Sequence, residues 1–104
     1  MAKEKFEENA NRLDEFIDEV AYGLYLEGED LFKKGEETKA IKCLQLPHAY
    51  YHAKGDLDGM LRCENLVHSK GYRIEHLELN REENIKHFKN LRDMIIEVYT
   101  VSTN

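Results

Sequence analysis

Tryptophan is absent from this chain, proline occurs once, at Pro47, and cysteine twice, at Cys43 and Cys63. A single proline and six glycines in 104 residues leave few turn signals, too few for the short strands and many corners of a sandwich or barrel. The two cysteines lie far apart and no C-x-x-C occurs, which argues against a zinc ribbon or a redox dithiol. They read as reduced, half-buried thiols. No apolar run approaches the length that spans a bilayer, and the charged N-terminal stretch MAKEKFEENANRLDEF has no signal-peptide core, so a cytoplasmic protein is expected. Excess positive charge is missing too. Acidic side chains number 21 against 15 basic ones, a formal charge of -6, which disfavours a general grip on phosphate backbones. No glycine-rich phosphate loop is present, and no serine or cysteine shows a base partner.

What remains is a chain rich in Glu, Lys and Leu, with apolar residues at helical spacing. Its length fits one domain, residues 1–104. The first segment carries two interleaved ladders, Ala10, Ile17, Leu24 and Leu31 on one and Phe6, Leu13 and Val20 on the other, the three-four spacing of a helix seam. Glu27 stands where the seam calls for an apolar residue and is flanked by Gly23 and Gly28, so a bend is expected there before Gly35 ends the helix. A second helix is predicted from about Glu36 to Lys54, kinked by Pro47 and closed by Gly55. Asp56 is placed to cap a third helix running through Leu57, Met60, Leu61, Leu66 and Val67, with Gly71 as its stop. Tyr72 to Leu79 fits neither period and reads as a partly ordered connection. Asn80 with Glu83 then opens a last helix whose seam is Ile85, Phe88, Leu91, Ile95 and Val98. The expected fold is therefore all-α, a four-helix bundle of the up-and-down type with long first and last helices.

The stretch YLEGEDLFKKGEETKAIKCLQLPHAYYHA, Tyr25 to Ala53, resembles an archaeal family of unassigned activity, domain-of-unknown-function family three hundred fifty-seven. The residues that carry the likeness are Leu31 and Phe32, the turn Lys34-Gly35-Glu36, Ala40, Ile41, His48, Tyr50, Tyr51 and Ala53. Pro47 and His52 depart from that pattern. The resemblance implies a helical hairpin in a small bundle and assigns no chemistry. Gly28, Phe32, Gly35, Ala40 and Ile41 are also similar to positions of one tetratricopeptide unit, but the internal period of 20 residues is too short for that repeat.

Four groups of side chains are candidate sites. Tyr50 and Tyr51 are adjacent and on a helix cannot both face inward, so with His48 and His52 they define the expected binding surface for a protein partner. His48 and His52, four residues apart, are also candidate metal ligands, with Cys43, Asp56, Cys63 or His68 as further donors. No H-E-x-x-H or Glu-x-x-His accompanies them, and no cofactor is expected. Arg62 and His68, with Asn65 as a polar helper, resemble the arginine-to-histidine motif of helical-bundle ribonucleases of the HEPN class, and Arg81 and His87 repeat the spacing. In such a site arginine would neutralise phosphate while histidine moves the ribose proton. Against these stands the leading expectation, a protein-interaction or scaffolding module without catalysis, self-associating through its long first and last helices, with nucleic acid and membrane not among its partners.

Overall fold

The computed structural model describes the backbone of residues 2–102 and the side-chain surroundings of residues 12–98. Among the described residues the chain is all-α with no strands, in the order α1 (Ala2–Lys33), α2 (Glu37–Lys54), α3 (Leu57–Ser69), α4 (Glu75–Glu78) and α5 (Arg81–Ser102). Five helices replace the expected four. The extra one is a single turn inside the segment read as a connection, and Leu77 holds it by burying its whole side chain under α2. Of the sequence-derived seams, Phe6 and Ala10 lie outside the described side chains.

One turn chemistry closes the first three helices. Gly35, Gly55 and Gly71 all sit in the left-handed region, at φ 79°, 75° and 86°. In each case the glycine N–H donates three residues back and the next N–H five back: Gly35 to Phe32 with Glu36 to Leu31, Gly55 to His52 with Asp56 to Tyr51, Gly71 to His68 with Tyr72 to Val67. This is the Schellman arrangement, which satisfies the orphan carbonyls at a helix end and reverses the chain in very few residues. Asp56 serves two helices, ending α2 through its own N–H and capping α3 by accepting from the Gly59 N–H at 3.1 Å. Asn80 also adopts positive φ, 60°, a conformation asparagine tolerates better than most residues, and its carbonyl accepts from Asn84 N–H as α5 begins.

Helix α2 is the centre of the molecule. It packs on α1, α3, α4 and α5, so Leu44, Pro47, His48 and Ala49 are all buried although they point in different directions around its axis. Pro47 does not end it; the helix runs on to Lys54, because an N–H lost in the middle of a helix braced on every side costs one hydrogen bond but no packing. Nor does α1 break at Glu27. Glu27 is exposed, and Gly28 takes the inward place because Leu44 lies against its bare Cα; a Cβ there would come within 2.6 Å of Leu44 Cγ. The same device rotates α3. Its buried residues are Gly59, Cys63 and Val67, whereas Leu57 and Leu61 are exposed: Gly59 is pressed to the ring of Tyr51, which leaves the two leucines on the outside.

Two apolar clusters result. One unites Ala21, Phe32, Ala40, Leu44, Tyr51, Cys63, Val67 and Leu77 around α2, and the other joins Leu13, Ile17 and Phe88 between α1 and α5. Tyr50 borders both. The molecule is elongated, 52 × 23 × 20 Å, because the 32 residues of α1 reach well past the 18 of α2.

Candidate functional site

The four residues expected to form one surface are divided by the fold. His48 is fully buried and Tyr51 nearly so, whereas His52 is exposed and Tyr50 half-buried. Both tyrosines do face inward, against the expectation, because neighbours cover α2 on nearly all sides: Tyr51 turns to α3, and Tyr50 turns to Phe88 of α5, ring centroids 5.0 Å apart. His48 Nε2 donates to Glu64 Oε1 at 3.2 Å, which leaves Nδ1 as a lone pair with no hydrogen-bond partner; the buried Arg81 Nε likewise has none. Burial holds the imidazole below its ordinary pKa, outweighing the hydrogen bond to Glu64, and the charge of Arg81 acts in the same direction while Glu78 opposes it.

That depression has a measurable sign. The unfolded imidazole takes a proton near pH 6.5, the folded one only at lower pH, so below pH 6.5 the unfolded state binds more protons and stability falls as the solution is acidified. The limiting slope for one proton is about 1.4 kcal/mol per pH unit. Urea midpoints measured from pH 7.5 to 5 are expected to decline for the wild type and to stay flatter for His48→Gln, which keeps a donor toward Glu64 but cannot titrate. Parallel curves would mean that His48 is not the group responsible.

As metal ligands His48 and His52 do not converge, one being enclosed against α3 and the other solvated. The further donors are engaged elsewhere. The Cys43 thiol donates to the Leu24 carbonyl at 3.2 Å, Asp56 caps α3, and Cys63 is wholly buried, a state that pushes its thiol up to about 12. His68 is exposed. Among the described residues no three His, Cys, Asp or Glu side chains are grouped to hold a metal ion.

The arginine-histidine pairs are also separated within the chain. Six residues along a helix correspond to about 120° around it, so Arg62 and His68 leave α3 in different directions, with Asn65 exposed between them. The Arg62 guanidinium lies over the rings of Tyr22 and Tyr25, 5.2 and 5.7 Å from their centroids. Arg81 turns inward and pairs with Glu78 at 3.5 Å while His87 is exposed.

A concave feature does form beside Tyr50. A half-open pocket of about 330 Å³ lies between α1, the end of α2 and α5, lined by Asp14, Ile17, Tyr50, Ala53, Lys54, Ile85, Phe88, Lys89 and Arg92. Its floor is apolar, since the one hydroxyl there, that of Tyr50, is spent in donating to Asp18. Burial and that hydrogen bond both raise the Tyr50 pKa, keeping the phenol neutral. Burial alone would raise the Asp18 carboxyl, but hydrogen bonds from Lys54, at 2.7 and 2.8 Å, and from Tyr50 hold it below the ordinary carboxylate value. Arg92 Nε meets Asp14 at 3.3 Å, and Lys89 pairs with no carboxylate among the described residues. Of this set only Tyr50 was a candidate site residue in the sequence, with Ile17 legible as seam. Ile85 and Phe88 were legible as seam, and the signal overlooked was that Lys89 and Arg92 follow them at helical spacing on one flank.

The described residues form an all-α structure with a half-open pocket beside Tyr50. Comparison with known proteins adds no relative to it: no family model, no curated protein and no solved structure matches the chain. Among the described residues no helix is long and apolar enough to cross a membrane.

Proposed function

We infer that the chain is a non-catalytic protein-interaction or scaffolding module that works in the cytoplasm and assembles with a second copy of itself. The observation that carries this reading is the apolar side-chain area that α1 and α5 leave exposed among the described residues. There Phe16, Met94 and Val98 are 50%, 57% and 62% exposed. Half-buried Val20, Leu91 and Ile95 continue the apolar surface inward from them. Large apolar side chains left exposed on both helices of one layer are area that a second layer can cover. Pairing two such layers would give a four-helix, up-and-down section in which each copy covers the other, an arrangement in keeping with the helical hairpin expected from the likeness to domain-of-unknown-function family three hundred fifty-seven.

Light scattering coupled to gel filtration tests the assembly. The wild type is expected to run as a dimer and Met94→Glu with Val98→Glu as a monomer with unchanged helix content, because burying two carboxylates at a helix interface costs several kcal/mol unless they are paired. A wild type that remains monomeric at every concentration would exclude self-association and leave the apolar area to a different protein.

A further inference from the structure

We propose that the pocket beside Tyr50 is a binding site for a small monoanionic amphipath, a carboxylate carried on a short hydrocarbon body. This site is distinct from the apolar area described above: Lys89 on the pocket wall and Met94 on the open face are five residues apart, about 140° around α5.

Size comes first. Ligand sites span roughly 300–1,000 Å³, and a volume of about 330 Å³ belongs at the small end, fit for a short chain or a single ring and not for a nucleotide or a folded partner. Polarity comes next. Ile17, Ile85, Phe88 and Ala53 present hydrocarbon, and the Tyr50 hydroxyl is turned away to Asp18, so the floor offers no hydrogen bond and favours an apolar body. Charge then selects the head. In a chain with net charge -6, three cations stand at this one rim, Lys54, Lys89 and Arg92. Two are matched, Lys54 to Asp18 and Arg92 to Asp14, so among the described residues one positive charge, that of Lys89, is left over. Arg92 uses Nε toward Asp14 at 3.3 Å, and its two terminal nitrogens can still form a fork to a carboxylate. A single excess charge suits a monoanion. A doubly charged phosphate would meet the carboxylates of Asp14 and Asp18 and gain less.

The probe is sodium octanoate, kept below its micelle-forming concentration and titrated into the full chain while amide shifts are followed by NMR. Saturable shifts are expected at Ala53, Lys54, Ile85, Phe88 and Lys89, and none of comparable size with octylammonium or inorganic phosphate. Lys89→Gln should weaken octanoate by about tenfold, the loss of one charge at the rim corresponding to roughly 1.4 kcal/mol. Ala53→Phe, a substitution at an exposed position that puts a ring into the space, should abolish binding while circular dichroism stays the same. Equal binding of octylammonium, tighter binding of phosphate, shifts spread over the whole surface without saturation, or octanoate binding unaffected by Ala53→Phe would each overturn the assignment. Because light scattering reads assembly separately, loss of octanoate binding and loss of the dimer are distinguishable outcomes.

Discussion

Leu44→Ala is expected to lower the unfolding free energy by about 2–5 kcal/mol, the span observed when a buried leucine is emptied to alanine. Leu44 is completely enclosed, and part of its enclosure is the backbone of Gly28. That contact makes a sharper prediction than the cavity itself. Alanine ordinarily strengthens a helix by about 1 kcal/mol over glycine. Here Gly28→Ala should destabilise the wild type, since its Cβ would lie 2.6 Å from Leu44 Cγ and 2.7 Å from Cδ2. In the Leu44→Ala background the same change should stabilise, because the added methyl enters the vacated space. The sign of the Gly28→Ala effect therefore reverses between the two backgrounds, a coupling that four denaturation curves measure directly. If the two substitutions simply add, α1 and α2 do not approach as closely as described.

Gly59→Val is expected to cost about 3 kcal/mol, the upper part of the range for overpacking a filled core. Any Cβ at this position would stand 2.5 Å from two ring atoms of Tyr51, and the ring, 4% exposed and wedged between α1 and α3, has no free side to move into. For a chain of this size the melting temperature should drop by on the order of 10–20 °C. Gly23→Val, at an exposed helical glycine with nothing within 4 Å, is the control and should change it little. Equal melting temperatures for the two variants would mean that α3 is free to shift away from Tyr51.

The ends of the first three helices were legible because each depends on local chemistry, whereas α4 carried no such signal. Gly35, Gly55 and Gly71 end helices wherever they occur next to a turn, and Asp56 caps through its own side chain. What was not legible is which face each helix presents. The apolar pattern of α3 includes Leu57 and Leu61, and the close approach of Gly59 to Tyr51 leaves them on the outside. A glycine read along the chain is a helix breaker, whereas across the chain it is a socket. The central helix hides its role for a related reason: surrounded on nearly all sides, α2 needs no single apolar stripe, and the buried Gln45 amide and His48 Nε2 meet partners far away in sequence, the His76 carbonyl at 2.9 Å and Glu64. Tyr50 drew notice in the sequence because it adjoins Tyr51; the pocket beside it is assembled from three helices and has no local signature.

The three glycine turns also govern the order in which the chain can gain its contacts. Hairpins α1–α2 and α2–α3 close over loops of only a few residues, and the entropy lost in closing a loop grows with its length. The wall that α5 supplies comes later in the chain: Phe88 must find Tyr50 across more than thirty intervening residues. The α5 wall is thus the dearest part of the structure to assemble and the first to be given up, and it carries Ile85, Phe88, Lys89 and Arg92 with it. Occupancy of the pocket and docking of the last helix are consequently one equilibrium, in which any molecule held between Tyr50 and Lys89 also fastens the end of the chain.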